Sequence, residues 1–140
     1  MTTAIDTNVI VALWDAEDTL HRPARAALDR AFGQGSLVIS GTVYAELLGA
    51  PGRTEAFVDR FCEETGIEVA WELGEKVWRE AGTAFQRYSV RRTKQRGTQP
   101  RRILADFLIS AHAFVNGHSL LTLDAGIYQT SFPKLQLTTA

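Results

Sequence analysis

Four acidic residues, Asp6, Glu46, Asp106 and Asp124, stand where solubility does not account for them. Asp6 follows Ala4-Ile5 and precedes the apolar run from Val9 to Leu13, and Asp124 ends the run Leu120-Leu121-Thr122-Leu123. Both also fit quieter roles: Asp6 as a helix N-cap, which Thr7 or Asn8 could equally fill, and Asp124 as a turn or cap residue. Glu46 is enclosed in the apolar stretch Val43–Leu48, with a solvent-facing glutamate as its alternative. Asp106 is more telling. At about 100° per helical residue, Ile103, Leu104, Phe107, Leu108, Ala111, Phe114 and Val115 cover one broad arc. Asp106 falls at the margin of that arc, away from polar His112 and Asn116. It also lies in the first turn, where the helix dipole favours a carboxylate.

Gathered into one cleft, four carboxylates would repel one another and lose water, and their pKa values would have to rise without a counter-charge. A hard divalent cation resolves this, because Mg²⁺ or Mn²⁺ prefers oxygen ligands and usually keeps several waters. Such an ion acidifies water and neutralises charge growing on a phosphoryl oxygen; a pair ~3.5–4 Å apart grips both attacking and leaving oxygens. The chemistry indicated is phosphodiester hydrolysis. No rival cluster competes. His21, His112 and His118 lack a zinc-ligand spacing and read as surface or cap residues, and Cys62 is the only cysteine, which excludes an internal disulfide or a cysteine cage.

A net charge of −1 conceals an asymmetry. The segment Ser89–Arg102 holds Arg91, Arg92, Lys94, Arg96, Arg101 and Arg102 and no acid, which leaves nine basic against sixteen acidic residues elsewhere. An anionic partner at one place is implied. Standing directly before the stretch that bears Asp106, Arg91, Arg92, Arg101 and Arg102 would contact nucleic-acid phosphates, a solvated loop being the plainer alternative. Tyr44 and Tyr88 are rings able to stack on unpaired bases, with core packing the competing role.

The elements that must hold these residues alternate. Strands are expected at Thr3–Asp6, Leu37–Ile39, Ile67–Val69, Leu120–Leu123 and Leu135–Leu137. Helices are expected at Asn8–Trp14, Arg22–Phe32, Val43–Leu48, Thr54–Thr65, Leu73–Tyr88 and Ile103–Val115. Strands separated by helices pair in parallel through crossovers, which predicts a three-layer α/β/α sandwich around a central parallel sheet of four to five strands. Sites in such sheets form beyond the carboxyl ends of the strands, where Asp6 and Asp124 stand. The 140 residues, 45% of them apolar, fit a single domain with one core. No apolar run approaches the roughly 20 residues that span a bilayer, and the N-terminus has no secretory pattern, so a cytoplasmic protein is expected.

At this point the residues resemble a known family. Ala4-Ile5-Asp6-Thr7-Asn8 is similar to the opening motif of PIN domains, and Thr42-Val43-Tyr44-Ala45-Glu46-Leu47 to their second. The run from Arg102 to Ala113 resembles the third, an aspartate opening an apolar helix, and Leu121–Tyr128 with Phe132-Pro133 resembles the fourth. Four motifs in order over nearly the whole chain resemble the VapC-type toxins of bacterial toxin–antitoxin pairs. The resemblance implies an Mg²⁺- or Mn²⁺-dependent endoribonuclease acting on RNA. Asp6, Glu46, Asp106 and Asp124 would form its acidic site, and Asp6, Asp106 and Asp124 would be the metal ligands. Thr7, Asn8 and Thr122 would orient these side chains or the water. It further implies a homodimer and a cognate antitoxin protein whose tail covers the pocket. One position departs from the pattern: some members carry a further acid where this chain has Gly126.

Two other functions compete. A non-catalytic RNA-binding domain of the same fold would not need all four acids. An aspartyl-phosphate phosphatase of the haloacid-dehalogenase kind would want a second aspartate where Asn8 stands, and a downstream lysine in a setting that Lys76, Lys94 and Lys134 do not offer.

Overall fold

The computed structural model describes residues 1–94 and 103–139. β1 (Thr2–Ile5) is a short strand whose last three residues are buried, and α1 (Thr7–Trp14) starts two residues later. After α2 (His21–Gln34) the chain passes Gly35, where any side chain would run into the Met1 carbonyl, and enters β2 (Ser36–Ser40) beside β1. α3 (Gly41–Leu47) follows without a linker, with the Ser40 hydroxyl accepting the Val43 N–H at its N-terminus. α4 (Glu55–Thr65) is capped by Thr54 and stopped by Gly66 in the left-handed region at φ +71°. β3 (Glu68–Ala70), α5 (Glu75–Lys94), α6 (Leu104–Val115), β4 (Ser119–Thr122), α7 (Ala125–Ser131) and β5 (Leu137–Thr139) complete the order.

All five strands are parallel, in the order β3-β2-β1-β4-β5. The three-layer α/β/α sandwich with a parallel sheet is therefore the fold, at the upper end of the expected strand count. Buried residues from the strands (Ile5, Ile39, Leu120, Leu121) and the helices (Val9, Ile10, Leu47, Phe107, Ile109) make one core cluster. The chain winds from β1 through β2 to β3 on one side, then returns to place β4 against the other side of β1. That reversal makes the carboxyl ends of β1 and β4 the switch point, where a parallel sheet opens a crevice. Among the described residues no helix is long and apolar enough to cross a membrane.

Three elements differ from expectation. α5 continues past Tyr88 to Lys94, so Arg91 and Arg92 are helical rather than in a loop, and three cations in its last turn complement the helix dipole. α7 is a helix that the sequence pattern does not announce. The final strand begins at Leu137, because Leu135 is buried in a turn that returns its N–H to the Phe132 carbonyl.

Candidate active site

Asp6 leaves β1 at the switch point, and its backbone N–H extends the ladder to the Leu121 carbonyl of β4. Although it occupies the N-cap position of α1, its side chain makes no cap bond. Instead Oδ2 accepts the Thr122 hydroxyl at 2.8 Å and the Tyr128 hydroxyl at 2.8 Å. The carboxylate is nearly closed off from water, at 5% exposure. Thr122 has its proton directed for it. Its oxygen accepts the Asp124 N–H at 3.0 Å and, more loosely, the Asn8 amide at 3.5 Å, so its one hydrogen goes to Asp6. Asn8 is in turn tied down by the Leu123 N–H, which donates to Oδ1 at 3.2 Å. Asn8 and Thr122 thus bind the ends of β1 and β4 into one polar seam.

Glu46 reaches the same place from α3. The Thr7 hydroxyl donates to its Oε1 at 2.6 Å, across 39 residues of sequence. Asp106 arrives on the first turn of α6, where Oδ2 accepts the Ile103 N–H at 3.2 Å, so its capping role holds alongside any other. Burial, first, holds the Asp6 carboxyl above its ordinary range, and the charge of Asp106 adds to this against the lowering pull of the Tyr128, Thr122 and Thr7 hydrogen bonds. Glu46 is likewise pushed up by burial and then by Asp6 and Asp106, against the Thr7 bond. The structure therefore brings Asp6, Glu46 and Asp106 within electrostatic reach of one another. Asp124 stands apart at the rim: it is exposed, caps nothing with its side chain, and is not among the charges acting on Asp6 or Glu46.

Of the basic residues expected to contact phosphate, Arg91 and Arg92 lie half-buried in the last turn of α5, the helix packed against α6. Arg101 and Arg102 fall outside the described residues. The two rings open to base stacking or to core packing fall on the packing side. Tyr88 is buried against Phe85 and Phe107, which settles it as core, and Tyr44 donates its hydroxyl to Asp59 at 2.7 Å. His112 is not a surface residue: it is 3% exposed beside His118, because it shares the apolar helix α6.

Whether these residues suit a hard cation can be judged from the donors. Among the described residues no three His, Cys, Asp or Glu side chains make a ready cage for an ion. What is gathered is oxygen alone, with carboxylates whose charge is disfavoured by burial and by each other. That suits Mg²⁺, which is commonly held by one or two carboxylates and otherwise by water, better than an ion needing a full set of protein ligands. At the fourth motif, a Cβ on Gly126 would sit 3.9 Å from Asp124 Oδ1, so a further acid there would have joined Asp124 at the rim.

One residue in contact with Asp6 is not apparent as its partner in the sequence. Tyr128 is 1% exposed and bonds Asp6 across 122 positions. The only signal for it is a lone phenol one helical turn after the strand-end aspartate.

Comparisons with known proteins agree with this fold. A family model described as PIN domain matches residues 3–133. No curated protein matches by sequence. Among solved structures, VapBC2 from Rickettsia felis bound to a promoter DNA fragment superposes with a TM-score of 0.70 at 19% identity, covering 100% of this chain and 99% of that one. VapBC-1 from nontypeable Haemophilus influenzae gives 0.68 at 20% identity over 99% and 98%. The sarcin-ricin-loop-cleaving toxin VapC20 of Mycobacterium tuberculosis gives 0.54 at 18% over 84% and 85%.

Proposed function

The chain belongs to the PIN-domain family, and on that basis we propose that it is a metal-dependent endoribonuclease, the toxin of a toxin–antitoxin pair, with residues 1–140 as its single domain. The observation that carries this reading is the convergence of Asp6, Glu46 and Asp106, from three separate elements, at the switch point of the sheet, with Asp6 buried and the other two half-buried. A stabilising role alone does not explain it, since burying carboxylates beside one another works against the fold.

In this reading Asp6, Asp106 and Asp124 would hold Mg²⁺ or Mn²⁺. The cation supplies positive charge for the phosphoryl group and acidity for water near neutral pH. Thr122 and Tyr128 hold Asp6 by one oxygen, which fixes the plane of its carboxylate. Glu46 is the candidate base: burial raises its proton affinity above that of an ordinary glutamate, and the Thr7 hydroxyl fixes its direction. Hydrolysis then forms a bond from water oxygen to phosphorus, breaks a P–O ester bond, and passes the water proton by way of Glu46 towards the leaving oxygen. Arg91, Arg92, Arg101 and Arg102 would grip the strand by its phosphates. The named activity of VapC20 supports RNA as substrate. The VapBC structures support a cognate antitoxin partner. A cytoplasmic homodimer completes the proposal.

The test is cleavage of RNA by the purified chain with Mg²⁺ or Mn²⁺ against a chelator control. Asp6→Asn and Asp106→Asn should each bring cleavage to background while circular dichroism stays native. Undiminished cleavage by both variants refutes the assignment.

A further inference from the structure

A second surface opens from the same edge of the sheet. β2 and β3 are in register at Ser40 and Ala70, so the two residues that follow, Gly41 and Trp71, leave the sheet side by side. The register of β1 and β2 pairs Ala4 with Val38 and, carried two residues on, sets Asp6 level with Ser40. Ala70 is therefore about two strand spacings, roughly 10 Å, from Asp6. Just beyond it lies a groove of about 610 Å³ lined by Thr42, Trp71, Glu72, Leu73 and Trp78 among others. Helix α3 spans both places, with Thr42 in the groove and Glu46 one turn later in the pocket of acids.

The groove holds two large rings in water. Trp71 is 63% exposed and Trp78 55%. Trp71 is braced all the same: Tyr44 meets it edge-on, with centroids 4.7 Å apart and planes at 68°, and Tyr44 is itself tethered to Asp59. The lining contains no cation, and its one charge is Glu72. Such a groove repels phosphate and accepts a flat, uncharged ring. We propose that Trp71 and Trp78 form a stacking subsite for an unpaired nucleobase of the RNA strand that enters the carboxylate pocket, a proposal that rests on RNA being the substrate. A second copy of the chain is the alternative occupant, and the oligomeric state of the alanine variant tells the two apart.

The experiment measures single-stranded RNA oligonucleotides binding to the Asp106→Asn chain with Mg²⁺, with and without a second substitution. Trp71→Ala and Trp78→Ala should each raise Kd about five- to a hundredfold, the range that loss of one base–aromatic stack produces. Trp71→Phe, which keeps a ring, should stay within about threefold of the parent. An oligonucleotide of the same length with abasic positions should bind weakly and be indifferent to Trp71→Ala. Equal Kd values for parent and alanine variants overturn the subsite, as does a shift of the chain from dimer to monomer on Trp71→Ala, which would give the face to a second copy. Magnesium-dependent cleavage by the unsubstituted chain is scored separately, so failure of the nuclease reading and failure of the subsite give different results.

Discussion

Tyr128→Phe isolates what holds Asp6. The ring is buried and stays; only the hydroxyl 2.8 Å from Oδ2 is lost. A hydrogen bond to a charged group contributes about 1.5–3 kcal/mol net, and with both partners buried there is little solvent screening to reduce it. For 140 residues the unfolding entropy is about 0.3 kcal/mol/K, so Tm should fall by about 5–10 °C near neutral pH. The pH dependence follows from the direction of the Asp6 shift. Its folded pKa is raised above 3.8, chiefly by burial, so its contribution to stability is fully present below that value and is lost as pH rises through the folded pKa. The Tyr128 bond favours the ionised form and limits that loss. Removing it should widen the gap between parent and variant at pH 7.5. The gap should then narrow on acidification towards the ~0.5–1.5 kcal/mol of a neutral bond. Thermal unfolding in chelator from neutral pH down towards the ordinary value of 3.8 reads this, and other titrating groups cancel in the difference. Calorimetric titration with Mg²⁺ gives a second readout, with an expected drop of about tenfold or more in affinity, as for other partners that orient a metal ligand. A Tm difference under about 1 °C at pH 7.5, or one that does not change with pH, refutes the reasoning.

Two further outcomes are expected. His112 has its pKa lowered from 6.5 to about 4 by burial and then by His118, so the unfolded chain takes up a proton that the folded one refuses; the associated stability is present above pH 6.5 and falls as pH drops towards 4. His112→Gln should remove about 3 kcal/mol of that pH dependence in urea unfolding, and an unchanged slope would contradict it. Replacing Arg91, Arg92, Arg101 and Arg102 by Gln should weaken RNA binding and flatten the plot of log Kd against log salt by up to about 3, at ~0.7 for each single-strand phosphate that is no longer neutralised. A preserved slope would make the segment an ordinary surface.

The elements are legible in the sequence because the signals that define them are local. The apolar runs at Ala4-Ile5, Leu37–Ile39 and Leu120–Leu123 announce strands, and the wide apolar arc from Ile103 to Val115 announces α6. Where local signals conflict, boundaries move. The cations after Tyr88 look like loop, yet at a helix C-terminus they meet the negative end of the dipole, and α5 runs on to Lys94. α7 is hidden because Gly126 weakens the helical pattern just after Asp124.

The pocket of acids is a different kind of object. Asp6 and Asp106 are visible through their odd places in the pattern, at a strand end and on the edge of an apolar helix face. Thr7 and Thr122 enter as partners of the acids only through the family likeness, and Tyr128 not at all. The bond from Ile103 to Asp106 is local, but those that tie Asp6 and Glu46 are long-range: Thr122 and Tyr128 to Asp6 across 116 and 122 residues, Thr7 to Glu46 across 39. Strand order decides these meetings, because β4 returns to lie beside β1 and carries Thr122 to Asp6. The same return accounts for the position of Asp124. Thr122 spends its oxygen on the Asp124 N–H and its proton on Asp6, so it is Thr122, at the end of β4, that turns inward, while Asp124 begins α7 two residues later at the rim. A side chain there would reach a cation held by Asp6 from the exposed side. Its removal should therefore weaken metal binding less than removal of Asp6, whose carboxylate is enclosed.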